Sequence, residues 1–255
     1  MIKMRALFVL AAVAVAGSAC TKREEAPAPT AATAPGAPAA ATPPPAGNGV
    51  IKGVAKLQGT PPEAKMIKRE TDPFCARKQM KDEDVLVGPG GVLKNVLVRL
   101  TKGVTGSYDP PAADASLEQQ DCMYRPRVQA IQAGQTLLIK NGDQTLHNVH
   151  SYKGASTIFN MAQIPGLGPM AKKFSEAGDI IKFKCDVHPW MTGYVGIVNH
   201  PFFAVTGDDG TFTIAKVPPG TYTVEAWHER YGAKSAELTV SADKPAELTF
   251  TFDVK

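Results

Sequence analysis

Three side chains with affinity for soft metals fall within seven positions of this chain, in Cys185-Asp-Val-His188-Pro-Trp-Met191. A thiolate, an imidazole and a thioether at that spacing lack only a second imidazole to form the trigonal, axially capped set that holds copper for one-electron chemistry. The missing imidazole stands upstream. Gln135-Thr-Leu-Leu-Ile-Lys-Asn141 reads as a strand and is followed by His147-Asn148-Val-His150. His147 and His150 are both candidates. Three residues apart on a strand, they point to opposite faces, so only one of them turns toward the metal. Zinc fits less well, because its sites are built from Cys, His and carboxylates rather than Met. A c-type haem needs Cys-x-x-Cys-His, which is absent. The chain also lacks a phosphate-binding glycine loop, a nucleophile elbow and an HExxH motif.

The two segments together resemble amicyanin and other plastocyanin-like type 1 copper proteins, the cupredoxins, over about 75 residues. The short Cys-x2-His-x2-Met loop with a proline after its histidine is most like that of amicyanin. The resemblance implies one copper ion cycling between Cu(I) and Cu(II). His147 (in preference to His150), Cys185 and His188 would be equatorial ligands and Met191 the axial one. It makes Asn148 the residue that ties the two ligand loops together. Pro189 has no N–H to offer the thiolate, and such bonds tune the potential. A binuclear copper centre would need a second cysteine where Pro189 stands. In cupredoxins an apolar patch surrounds the exposed histidine edge through which electrons pass. By that resemblance His188 is the port, with Pro189, Trp190 and the loop from Ile164 to Met170 around it. With four positions filled by protein, no open position is left for substrate. The implied function is a one-electron carrier serving an unidentified redox partner protein, not an enzyme. Two other readings stay open: a copper scavenger or donor, and a structural lipoprotein that docks through its second domain.

The elements that must position these ligands read as strands. Val50–Leu57, Val92–Leu100, Thr136–Lys140, Ile180–Lys184 and Tyr194–Val198 alternate or run apolar between Gly and Pro, which predicts an all-β protein. Ala112–Gln120 is the one segment read as a short helix. Near the C-terminus, Asp209-Gly-Thr-Phe212-Thr-Ile214, Val217-Pro-Pro-Gly220 and Tyr222-Thr-Val224 resemble the carboxypeptidase regulatory-like domain, a small transthyretin-like β-sandwich. Domains of that family open on a strand like Gly49–Leu57, which here lies far upstream. The predicted architecture is therefore a cupredoxin Greek-key sandwich over 120–199 and a regulatory-like sandwich over 200–255, with 48–119 an N-terminal β segment. Either the first sandwich is inserted into the second, or the two follow one another. His200, Phe202, Trp227 and His228 are expected between the two units, and Met123, Met161 and Met170 are expected to pack rather than ligate.

The N-terminus directs the chain out of the cytoplasm. Met1-Ile-Lys3-Met-Arg5 is a basic n-region, and Ala6–Ala16 is an apolar run too short to span a bilayer. Gly17-Ser-Ala-Cys20 ends this 1–19 signal segment on small residues before a cysteine, as at a lipoprotein processing site, although Gly17 stands where a large aliphatic residue is usual. The alternative is an ordinary cut near Ala19. Thr21 replaces the acidic residue linked to inner-membrane retention, which points to an outer-membrane anchor facing the periplasm. Ala26–Gly47 is uncharged and rich in Ala and Pro, so it makes an extended tether within the 20–47 linker, reaching about 70 Å at about 3.1 Å per residue. The four cysteines then divide without remainder. Cys20 is the lipid site and Cys185 the thiolate, leaving Cys75 and Cys122 to pair in an oxidising compartment. A formal charge of +4, with basic and acidic residues mixed, gives no support to nucleic-acid binding.

Overall fold

The structure, a computed structural model, describes residues 47–254; the signal segment, Cys20 and the linker as far as residue 46 lie outside the described residues. The strands run in the order β1 (Gly49–Gln58), β2 (Leu97–Lys102), β3 (Ala115–Gln120), β4 (Met123–Arg125), β5 (Val128–Gln132), β6 (Thr136–Asn141), β7 (His147–Lys153) and β8 (Ser156–Gln163). They continue with β9 (Met170–Lys173), β10 (Ile180–Lys184), β11 (Thr192–Val198), β12 (Phe203–Val205), β13 (Thr211–Val217), β14 (Gly220–His228), β15 (Gly232–Val240) and β16 (Ala246–Asp253). A short α-helix, α1 (Pro73–Ala76), and a 3₁₀ turn over Pro89–Gly91 lie in the β1–β2 connection.

These strands form two sandwiches. The outer one pairs sheet β13-β1-β16 with sheet β12-β2-β14-β15. It is discontinuous in sequence. β1 runs parallel to β16 and antiparallel to β13, and β2 lies between β12 and β14. Strict alternation drives this closure. β14 turns Tyr222, Val224, Ala226 and His228 inward, and β16 turns Phe250 and Phe252 inward. Burial of each large apolar side chain among them, such as Val224, Phe250 and Phe252, contributes about 1.5–3 kcal/mol.

The inner sandwich is built from β3–β11, which fall in sequence between β2 and β12. Its sheets are β4-β3-β6-β9 and β5-β11-β10-β7-β8. The chain crosses repeatedly between them: β6 to the β7–β8 hairpin, back to β9, then to the β10–β11 hairpin. Leu117, Leu137, Ile139, Val149, Ile181, Phe183, Val195 and Ile197 fill the space between the sheets. Ala112–Gln120 is not helical. Its residues from Ala115 form β3, which pairs in parallel with β6, Leu117 opposite Ile139. Ala, Leu, Glu and Gln are good helix formers, but burial of Leu117 and Gln119 on one face imposes the strand period. The inner sandwich thus starts at Ala115, five residues before the expected boundary. The Val92–Leu100 strand also shifts, to Leu97–Lys102, because Asn95 takes a positive φ of 61° that breaks the run.

Two features lock the sandwiches together. Arg127 and Glu229 form a buried bidentate ion pair at 2.5 and 2.8 Å, and Trp227 packs edge-on against Tyr194 at 5.1 Å. Gly196 allows the close approach, since a Cβ there would lie 2.5 Å from the Leu97 side chain. The second lock is a strap, the β1–β2 connection over residues 59–96. It leaves the outer sandwich and crosses onto the inner one, where Cys75 of α1 is disulfide-bonded to Cys122. Buried Arg69 donates to the carbonyls of Lys78 and Asp121 beside that bridge.

Candidate metal centre

The ligand run is the turn between β10 and β11. The Cys185 N–H donates to the Met191 carbonyl at 3.2 Å, and the Met191 N–H to the His188 carbonyl at 2.9 Å. These two bonds fold the seven-residue segment back on itself and bring His188 over Cys185. His147 enters from the first position of β7, two strands' width of backbone away in sequence but adjacent to β10 in the sheet. The three donor atoms converge. His147 Nδ1 and His188 Nδ1 are 3.0 Å apart, and Cys185 Sγ lies 3.6 Å from His188 Nδ1 and 4.0 Å from His147 Nδ1. The centre of that triangle is about 2.1 Å from each atom, a metal–ligand length for nitrogen and sulfur. Cys185, His147, His188 and Met191 are all 0% exposed. Met191 shares the buried cluster that contains Cys185.

The electrostatics suit a cation. Burial pushes the Cys185 thiol up, but His147, His188 and the N–H groups of Asn148 and His188 outweigh it and bring the thiol down to about 6. It is a thiolate at neutral pH, the form that binds metal. Each imidazole is backed by a carboxylate on its far nitrogen. His147 Nε2 lies 2.9 Å from Asp143 Oδ2, and His188 Nε2 lies 3.0 Å from Asp72 Oδ2. A carboxylate only accepts, so both Nε2 atoms donate to their aspartates and both Nδ1 atoms face the thiolate. Two imidazole nitrogens and a thiolate sulfur directed at one point fit a soft cation, which binds in exchange for the proton these atoms share in its absence.

Asn148 ties the two loops together. Its N–H points at Cys185 Sγ at 3.5 Å, and its side chain meets Asp186 at 3.0 Å and Asn160 at 2.6 Å. Tyr124, which the sequence did not single out, places its hydroxyl 3.1 Å from the carbonyls of both Asn148 and Lys184. Pro189 is exposed at the tip of the turn. His150 turns the other way. It stacks on Tyr152 and bonds to Asp186 and Thr157 on the outer face, and it takes no part in the triangle.

The expected exposed edge of His188 is absent. The strap covers it: Asp72 sits on Nε2, Cys75 Sγ is 3.6 Å from the same nitrogen, and Trp190 lies 5.1 Å away, held by a bond from its indole N–H to the Cys122 carbonyl. Asp72 is fixed as the N-cap of α1. It accepts from the N–H groups of Phe74 and Cys75 and from the Thr145 hydroxyl. Burial opposes ionisation there, but Thr145, Cys75, His188 and Phe74 together hold the carboxyl down at about 2. Asp143 accepts from the N–H groups of Asp121 and Cys122, both at 2.8 Å. Neither aspartate belongs to the Cys-x2-His-x2-Met run or to the His147-Asn148 segment. The one legible signal was Asp72-Pro73, an N-cap followed by proline at the first helical position.

Comparison with known proteins finds one family model and several solved structures. Residues 196–253 match the carboxypeptidase regulatory-like domain. No curated protein matches the chain. Similar solved structures include a purple cupredoxin from Nitrosopumilus maritimus, 27% identical over 33% of this chain and 99% of that one, with a TM-score of 0.29. Amicyanin from Paracoccus versutus is 25% identical over 39% of this chain and 96% of its own, with a TM-score of 0.30. A copper-containing nitrite reductase from Thermus scotoductus is 17% identical over 39% of this chain and 25% of its own, with a TM-score of 0.28.

Proposed function

We propose that the inner sandwich binds one copper ion through Cys185, His147 and His188, with Met191 as axial ligand, and works as a one-electron carrier. The convergence of one thiolate sulfur and two imidazole nitrogens around a point about 2.1 Å from each carries this reading. Copper, when bound, supplies a Cu(I)/Cu(II) couple. The chain's part is to keep the three donors where both oxidation states accept them, and the short ligand turn, Asn148 and Tyr124 do that. Loading with one equivalent of Cu(II) should give an intense thiolate-to-copper band at about 600 nm. A colourless Cu(II) protein would sink the assignment.

Copper donation is the weaker reading. All four ligands are fully buried, and handing over an ion requires an acceptor to reach one of them. Fast, reversible voltammetry is expected of the carrier, and slow exchange with rapid Cu(I) transfer to a chelator would favour the donor. The same proposal places the protein in the cell envelope, tethered through a lipid on Cys20 and facing the periplasm. The support is the basic and apolar leader, the small residues before Cys20 and the Pro-rich tether. Mass spectrometry of the mature protein should find acylated Cys20 as its first residue. An unmodified Cys20 would remove the anchor from the reading.

A further inference from the structure

Both imidazoles of the triangle rest on carboxylates, and the two carboxylates come from different parts of the chain. Asp143 belongs to the β6–β7 connection of the inner sandwich. Asp72 belongs to the strap, which is drawn from the outer sandwich and clamped by the Cys75–Cys122 bridge. We propose that Asp72 and Asp143 are positioning residues of the metal site, which hold His188 and His147 as Nε2–H imidazoles and bias the bound copper toward Cu(II). The outer sandwich thereby completes the site of the inner one. This inference rests on the copper reading given above.

A carboxylate on Nε2 fixes the tautomer and the ring orientation, so that Nδ1 faces the thiolate. Its negative charge, in a site from which the strap excludes water, makes the ring a stronger donor. A stronger donor favours the more highly charged ion, Cu(II) over Cu(I). Asp72 is fixed from several sides by the Phe74 and Cys75 N–H groups and the Thr145 hydroxyl, so it does not rotate away from His188. Asp143 is fixed by the Asp121 and Cys122 N–H groups, next to the residue that anchors the disulfide. One short segment, Asp121-Cys122, therefore braces both supports.

Asp72→Asn is the deciding variant, because Asn caps a helix as well as Asp does and keeps an acceptor for the Thr145 hydroxyl. In the copper-loaded full-length protein it should lower the Cu(II)/Cu(I) affinity ratio about tenfold, read as a rise in reduction potential of about 59 mV per factor of ten. Asp72→Glu should recover part of that change. Replacing both Cys75 and Cys122 by Ser should move the potential in the same direction by freeing the strap. Copper-free protein supplies an independent reading. Nitrogen-15 NMR should show His188 and His147 as Nε2–H tautomers with slowly exchanging ring protons, and in Asp72→Asn only the His188 proton should shift. An unchanged potential in Asp72→Asn, or Nδ1–H tautomers in the wild-type protein, overturns the inference. If the wild-type protein shows no blue band but keeps both Nε2–H tautomers, the copper reading fails and the positioning role of the two aspartates stands.

Discussion

The two sandwiches each bury a pair of histidines, and they treat them in opposite ways. In the inner sandwich His147 and His188 have their Nε2 atoms on carboxylates and their Nδ1 atoms turned toward a thiolate. In the outer sandwich His200 donates from Nε2 to the Leu100 carbonyl and accepts the Phe202 N–H on Nδ1. His228 accepts the Arg230 N–H and stacks on Tyr231 and near Phe252. Neither of these rings has a thiol or a carboxylate partner among the described residues. A histidine whose lone pair is already used by backbone is a core residue. A histidine whose second nitrogen is left facing a thiolate and another imidazole is free to serve as a ligand. Burial does not tell the two apart; the hydrogen-bond partner of the second nitrogen does.

Replacing the thiolate that the inner pair faces, and then each ring of the outer pair, should have opposite effects on metal binding. Cys185→Ser should abolish the visible absorption of the copper-loaded protein outright. His200→Gln and His228→Gln should leave both the absorption and the copper stoichiometry unchanged. Loss of copper from either outer variant, measured by metal analysis after dialysis, would mean that the outer pair contributes to binding.

The proposed ligand set was legible in the sequence because most of it is local. Cys185, His188 and Met191 sit in one turn; the strand period lets only one of His147 and His150 face it, and the cupredoxin resemblance is what favours His147. The strands of the outer sandwich were equally plain, since Phe212, Tyr222 and Phe250 alternate with polar residues. What could not be read was the covering of His188. The strap that carries Asp72 is separated from His188 by 116 positions, and its path across the inner sandwich is set by tertiary contacts of Arg69, Cys75 and Trp190 that have no local signature. The cysteine count pointed to the Cys75–Cys122 pairing, but not to its place beside a ligand histidine. Residues 115–120 misled for the complementary reason: their composition favours a helix, and only the partner strand β6 makes them a strand.

The join between the sandwiches should be the next largest effect. Arg127 and Glu229 are both buried, so Glu229→Gln leaves an uncompensated guanidinium and should cost about 3–5 kcal/mol. Urea unfolding followed by tryptophan fluorescence is suited to the question, because Trp227 lies at the join and Trp190 beside His188. A single shifted transition means that the sandwiches unfold together. Two separated transitions would show that each region holds its fold independently.

Acid should then pull the two histidine pairs apart. Burial, reinforced by Arg127, depresses His228 to about 4, and burial also depresses His200. For these rings the unfolded chain takes up protons before the folded one, so stability falls as pH drops from 6.5 toward 4. His228 accounts for roughly 3 kcal/mol of that loss. His147 has the opposite sign in the copper-free protein: burial pushes it down, but Asp143 and the Cys185 thiolate push it further up. Its contribution is present below pH 6.5 and is lost as pH rises through the raised value. Copper-free His228→Gln should therefore lose less stability than the parent between pH 7 and pH 4.5 in urea titrations. An equal loss in both proteins would remove His228 from the acid response.

His150 gives the smallest effect and the finest test, because it lies three residues from a ligand and yet belongs to neither class. Its ring bonds to the half-exposed carboxylate of Asp186 and stacks on Tyr152 at 4.0 Å, on the side of β7 away from the triangle. An ion pair reached by solvent is worth no more than about 1 kcal/mol. His150→Gln should accordingly shift the unfolding midpoint only slightly and leave the position of the visible band as it is. Asp186 also receives the Asn148 side chain, so a displaced band in His150→Gln would show that the outer-face network reaches the thiolate through Asn148. The face of β7 on which a histidine stands would then be insufficient to decide whether it acts on the metal.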